Sequence, residues 1–219
     1  MTLRDYLAIG RRWWWLVLLG AGLAAGGAFA LTTQMTKVYE AKAVLLVNQA
    51  QNPGSVTYQD ILGSQQLTKT YAELATSTLN LQRALDRLKD PTITLDSLQD
   101  DVHASAVPQT QLITVSAADP SPARARLVAN TVAEIFPKYI EDAQLAGSSP
   151  EGKSLNTVFV AEQASLPESP IRPNLPLNVV IGALLGFMVM IGAVAIVEYL
   201  DDGVDDRSDV DELELPFLG

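Results

Sequence analysis

Residues 147–154, Gly147-Ser148-Ser149-Pro150-Glu151-Gly152-Lys153-Ser154, satisfy GxxxxGKS, the spacing of a phosphate-binding loop. In that device backbone amides at a helix N-terminus cradle phosphate, the lysine reaches the outer phosphates, and the hydroxyl meets a magnesium ion. The device needs a strand before it and a helix after it. Here a helical pattern precedes and a strand-like run follows, so the segment reads as a linker. His103, the single histidine, neighbours Asp100 and Asp101. On a strand-like stretch adjacent side chains face opposite sides, so His103 reads as a solvated residue. With no cysteine in the chain, disulfides, thiolate zinc sites and cysteine nucleophiles are excluded. Neither G-x-S-x-G nor H-E-x-x-H occurs. The sequence therefore nominates no catalytic residue, no cofactor-binding residue and no metal ligand, and a protein that is not an enzyme is expected.

The carboxy-terminal residues offer binding chemistry instead. Asp201, Asp202, Asp205, Asp206, Asp209 and Asp211 form an acidic run that closes on Leu213, Leu215, Pro216, Phe217 and Leu218. One reading is a solvated tail. The other is a docking peptide, in which Asp201 and Asp202 meet a basic patch while Phe217 and Leu218 fill an apolar pocket. Formal net charge is −10, which excludes a general nucleic-acid binder.

The elements that would position this tail are apolar. The 219 residues are 48% hydrophobic and only 18% charged, against roughly 25% charged in a soluble domain. The surplus lies in two blocks without a charge, Trp13 to Leu31 and Asn174 to Val197. About 20 helical residues cross a bilayer core of ~30 Å, so both blocks suffice. Gly182 and Gly186 form a GxxxG, either a helix-packing face or the glycine background of membrane helices. The first block has an alternative as a cleaved signal peptide, with Ala28-Phe29-Ala30 as the cleavage site. Its length and the Trp13-Trp14-Trp15 belt favour a retained anchor. Arg4, Arg11 and Arg12 place the N-terminus in the cytoplasm, and two spans return the C-terminus there. The expected organisation is a cytoplasmic segment 1–12, a span 13–31, an extracytoplasmic domain 32–166, a stalk 167–176, a second span 177–197 and an acidic cytoplasmic tail 198–219.

Between the spans, Val38 to Val47 reads as a strand and Asn52 to Ser55 as a turn. From Ser64 to Leu88 apolar residues step by four and three, with Leu67, Tyr71, Leu74, Thr78, Leu81, Leu85 and Leu88 on one face. This predicts a helix, packed on a sheet or in a coiled coil. Asp90-Pro91 ends it. Leu112 to Ala117 is a second strand. Pro122 to Leu145 is a helix capped by Asp119 or Ser121, which Pro137 should kink or end early. Leu155 to Ala161 is a third strand, leading into Pro167, Pro170, Pro173 and Pro176, whose spacing predicts an extended polyproline rod. The fold class is α+β, with an extracytoplasmic β-α-β-α-β domain between two transmembrane helices.

This layout resembles the polysaccharide co-polymerases, or Wzz-type chain-length determinants, and more closely the short branch that serves as membrane adaptor of bacterial tyrosine kinases. The likeness rests on Arg4-Asp5-Tyr6-Leu7 with Arg11-Arg12-Trp13, on Tyr39-Glu40-Ala41, and on Asp119-Pro120 with Ala123 and Ala129-Asn130. Ala164, Pro167, Pro170 and Pro173 add an A-x-x-P-x-x-P-x-x-P motif. Glu198-Tyr199-Leu200-Asp201-Asp202 and Leu215-Pro216-Phe217-Leu218-Gly219 complete it. The resemblance implies a ring-like homo-oligomer in the bacterial cell (inner) membrane. It implies control of the chain length or export of a surface polysaccharide of exopolysaccharide, capsule or O-antigen type. It also implies activation of a cytoplasmic tyrosine kinase through the tail, with a polysaccharide polymerase or export machinery as further partners. Two departures stand out: no kinase domain precedes Gly219, so the kinase is expected on a separate chain or absent, unless the sequence is a truncated piece, and the long central coiled coil of the larger branch is missing. The rival reading is a receptor-like module whose outer domain captures a ligand and whose acidic tail signals.

Overall fold

The computed structural model describes the backbone of residues 3–48, 58–147 and 156–201, and the side chains of residues 11–48, 62–144 and 156–200. These residues fall into two units, one made of the two chain ends, to residue 35 and from residue 173, and one spanning Thr36–Arg172.

The central unit is an antiparallel sheet with helices on one face. Its elements are β1 (Tyr39–Asn48), α2 (Tyr58–Ala75), α3 (Thr78–Leu88), α4 (Leu95–Asp101), β2 (Val102–Ala106), β3 (Leu112–Asp119), α5 (Pro122–Gly147) and β4 (Thr157–Glu162); α1 (Leu3–Gln34) and α6 (Leu175–Asp201) lie at the chain ends. Strand order is β2-β3-β1-β4. Alternate residues point to the helices: Ala41, Ala43, Leu45 and Val47 from β1, with Ile113, Val115 and Ala117 opposite them on β3. The register aligns Val102 with Ala117 on one side and Val158 with Val47 on the other, so every strand feeds the same buried face. Helix α5 answers with Ala125, Val128, Ala129, Val132, Ala133, Phe136 and Ile140, a stripe at three- and four-residue spacing. Phe136 is fully buried and meets Tyr71 edge-on, centroids 6.3 Å apart.

Apart from the exposed Thr78, the periodic face expected over residues 64–88 is present: Tyr71 and Leu81 are buried, and Leu67, Leu74, Leu85 and Leu88 are half-buried against the core. It is carried by two helices, however. The chain breaks at Thr76-Ser77, where Ser77 adopts an extended conformation and its hydroxyl accepts from the Asn80 amide at 3.4 Å. A capping serine outcompetes helix continuation because it satisfies an otherwise orphaned amide. Lys89 then stops α3 in a left-handed conformation, two residues before Pro91.

Three further differences have physical causes. The expected β-α-β-α-β order omits α4 and β2. Thr94 caps α4 by exchanging hydrogen bonds with Ser97, and β2 is an edge strand on which only Val102 is fully buried. Pro137 neither ends nor divides α5, which runs on to Gly147. Burial of Ala133, Phe136 and Ile140 around it holds the helix together despite the missing hydrogen bond. Residues 163–174 do not form a free rod: Val38 exchanges backbone hydrogen bonds with Ile171 and Arg172, at 2.8–3.4 Å. Pro167 is half-buried, Pro170 exposed, and Pro176 lies in the first turn of α6, where its ring is tolerated.

Candidate functional site

Two groups of residues carry the features that the sequence marked out. The first is the set of motif side chains around α5. Asp119 ends β3, and its Oδ1 accepts the Ser121 amide at 2.7 Å, which turns the chain into α5. Its Oδ2 accepts from Arg124 Nε at 2.7 Å, and Arg124 reaches on to the Thr92 hydroxyl at 3.2 Å. Asp119 thus works as turn former and helix-end anion together. The hydrogen bond and charge of Asp119 hold the Arg124 guanidinium more firmly protonated than usual.

One helical stretch further, Asn130 makes a reciprocal pair with the backbone of Ala164. Its Nδ2 donates to the Ala164 carbonyl at 3.2 Å, and its Oδ1 accepts the Ala164 amide at 2.7 Å. Gln144 does the same with Asn156, at 2.8 and 2.9 Å. Strand β4 lies between these two points. An edge strand bonded only to β1 is thereby clamped at each end by an amide side chain from α5. The two motifs noted separately in the sequence, Ala129-Asn130 and Ala164 with its prolines, therefore meet in space. Gln144 was not singled out, and nothing near it in the sequence signals its partner.

The second group is the pair of terminal helices. Arg11–Gln34 and Leu175–Leu200 are long and apolar enough to cross a membrane. Their large side chains are exposed, Leu23 at 70% and Met188 at 69%, where a soluble core helix would bury them. The two helices pack on each other through small residues. A Cβ added at Gly186 would meet the Ala24 side chain and stand 2.8 Å from the Gly20 carbonyl oxygen. One added at Gly182 would stand 2.5 Å from Ala28 Cβ, and one at Gly20 would run into Met190. The GxxxG of α6 is thus a packing face. Gly22, Gly26, Gly27 and Gly192 have open space around them.

No three His, Asp or Glu side chains converge among the described residues. His103 is exposed on β2. Burial and the nearby carboxylates of Asp119 and Asp100 push the Asp101 carboxyl above the usual carboxylate range. Gln65, Lys69 and Glu73 of α2 line an open groove of about 460 Å³ with the β2–β3 turn. Of the phosphate-loop match only Gly147 is described; α5 precedes it and β4 follows the segment, the reverse of the order a phosphate loop needs. Asp201 is the last residue of α6, while Asp202, Phe217 and Leu218 lie outside the described residues, as does the turn read at Asn52 to Ser55.

The fold and its two apolar helices define a two-span membrane protein with an α+β domain between the spans. Residues 1–88 match the family described as Wzz, chain length determinant protein. The chain is 28% identical over 228 residues to the capsular polysaccharide biosynthesis protein CpsC of Streptococcus pneumoniae, covering 98% of this chain and 92% of that one. It is 26% identical over 208 residues to the probable capsular polysaccharide biosynthesis protein YwqC of Bacillus subtilis (strain 168), covering 93% and 79%. The fold is shared with a full-length bacterial polysaccharide co-polymerase, with a TM-score of 0.53 at 12% identity over 94% of this chain and all of that one. The resemblance to the Wzz-type family is borne out, and the chain is a homologue of capsular polysaccharide biosynthesis proteins.

Proposed function

We propose that this chain is a non-catalytic membrane scaffold in the biosynthesis of a bacterial surface polysaccharide, acting as a polysaccharide co-polymerase that sets chain length or export. One observation carries the reading: a folded α+β domain is strung between two helices whose apolar surfaces need lipid, in a chain that aligns over nearly its whole length with proteins named for capsular polysaccharide biosynthesis. In this reading Arg4, Arg11 and Arg12 keep the N-terminus in the cytoplasm, the domain lies outside the cell membrane, and the acidic tail returns inside.

The mechanism is geometric. Subunits gather into a homo-oligomeric ring, and their tails are brought close together. A partner captured by each tail, a cytoplasmic tyrosine kinase, reaches a high effective concentration, so that its copies phosphorylate one another. Asp201 and Asp202 steer the encounter by charge, and Phe217 and Leu218 provide the apolar anchor. Deleting Glu214 to Gly219 is expected to leave the oligomer intact by native gel or light scattering and to abolish tyrosine phosphorylation of the partner in cells. Unchanged phosphorylation in the deletion strain removes the tail from the mechanism.

The groove beside β2 favours a second reading, a receptor whose outer domain binds a soluble ligand. Its lining of Gln65, Lys69, Gln109 and Thr110 offers hydrogen-bonding groups. A purified monomer with an occupied groove supports the receptor, and an unliganded symmetric oligomer supports the scaffold.

A further inference from the structure

The small-residue seam between α1 and α6 does not by itself define how the helices are aligned. On α6 the row at four-residue spacing reads Asn178, Gly182, Gly186, Met190, Val194, Glu198; on α1 the facing row reads Thr32, Ala28, Ala24, Gly20. Gly182 and Gly186 are alike, as are Ala28 and Ala24. Sliding one helix by a turn so that Gly186 faces Gly20 and Gly182 faces Ala24 sets small residues against small residues again, and within the seam Met190 alone exchanges its small neighbour Gly20 for Leu16. Besides Met190, the polar ends of the row distinguish the two alignments. At one end Asn178 Nδ2 donates to Thr32 Oγ1 at 3.3 Å, and Thr32 is only 2% exposed. At the other end Trp13 Nε1 donates to Glu198 Oε2 at 3.2 Å, with the Arg12 guanidinium 5.5 Å over the Trp13 ring. Between the two bonds each helix rises close to ~30 Å at ~1.5 Å per residue, the thickness of the bilayer's hydrocarbon core.

We propose that the Thr32·Asn178 and Trp13·Glu198 bonds are a register lock: paired polar groups at the two edges of the hydrocarbon layer that disfavour a slip the glycine seam would tolerate. After a one-turn slip both pairs part, leaving an amide and a carboxylate without partners at the border of a solvent that offers none. A polar residue in an apolar helix interface plays the same part when it selects one alignment of a coiled coil. In consequence sliding of one helix along the other is disfavoured, and the two helices move as a pair.

The chain has no cysteine, so disulfide trapping in native membranes reads the alignment directly. Gly20→Cys with Met190→Cys reports the observed register, because a Cβ at Gly20 stands 3.3 Å from Met190 Cβ. Leu16→Cys with Met190→Cys reports the slipped one, in which Gly186 faces Gly20 and Gly182 faces Ala24. The full-length chain is expected to cross-link readily in the first pair and slowly in the second. Adding Asn178→Leu or Glu198→Leu to each pair should raise the slipped-to-aligned ratio about threefold per lock, the effect of a membrane hydrogen bond of ordinary strength. Glu198→Gln keeps an acceptor for the Trp13 N–H and should leave the ratio unchanged. Equal cross-linking of the two pairs in the otherwise unaltered chain overturns the proposal, as does a ratio that neither leucine variant moves.

Discussion

The two units of this molecule use opposite kinds of residue to the same end. In residues 36–172 large side chains, Phe136, Leu45, Leu81 and Ile113, are withdrawn completely from water, and their burial drives folding. In the terminal helices most large side chains are exposed, and the contact is made by Gly20, Ala24, Ala28, Gly182 and Gly186, with Met190 the one long side chain set against Gly20. The solvent explains the inversion. In water, apolar bulk gains by leaving the surface; in lipid it gains nothing, and close backbone approach is what remains. Yet both units finish the task with amide and hydroxyl chemistry at the ends of an element. Asn130 and Gln144 clamp β4, while Asn178 and Glu198 tie α6. Bulk or its absence makes each contact, and directional bonds at the ends select one alignment of it.

That contrast can be broken from either side. The largest effect is expected from Phe136→Ala, which empties the centre of the sheet–helix core and should cost about 3–5 kcal/mol in denaturant unfolding of the domain, while leaving association of the terminal helices unchanged. The converse change, Gly186→Leu, adds bulk where the Gly20 carbonyl oxygen and the Ala24 side chain stand in the way. It should weaken helix pairing by about 1–3 kcal/mol, measured by trapping at the Gly20 and Met190 positions, without altering the domain's unfolding curve. Gly192→Leu, in open space, should do neither. Asn130→Ala removes both bonds to Ala164 and should cost the domain about 1–3 kcal/mol, with faster amide exchange in residues 157–164 than elsewhere in the sheet.

The smallest effect is one of acidity. Hydrogen bonds from the Thr92 hydroxyl and amide hold the exposed Asp90 carboxyl below its ordinary value of 3.8. A lowered acid contributes stability that is complete above the ordinary value and lost as pH falls through it. Asp90→Asn should therefore flatten the decline in melting temperature below about pH 4. Asp101, raised by burial, acts in the other direction: its stabilising contribution is present at low pH and disappears as pH climbs past the ordinary range.

Much of this was readable from residue order alone. Two charge-free blocks announced α1 and α6, and alternating or stepped apolar residues announced β1, β3, α5 and the α2–α3 face. The signals failed where exposure diluted them. Residues 95–106 mix carboxylates, serines and alanines, because β2 is an edge strand and α4 a single short helix. At Pro137 local preference pointed one way and burial of Phe136 and Ile140 won. The meeting of Asn130 with Ala164 was out of reach for a different reason: both were noticed, but nothing in either motif states that residues so far apart share a hydrogen bond. The GxxxG of α6 was visible; that Ala24 and Gly20 are its counterpart was not.

The backbone bridge between Val38 and Arg172 places the chain's entry into the four-stranded domain beside its exit. Such a unit is a cassette. Residues 36–172 should be transplantable onto another helical hairpin, or expressed with a short linker closing the ends into a permuted chain, without disturbing the four-stranded sheet. Chimeras that exchange residues 36–172 between related proteins would then have both junctions in one place, with no boundary to search for.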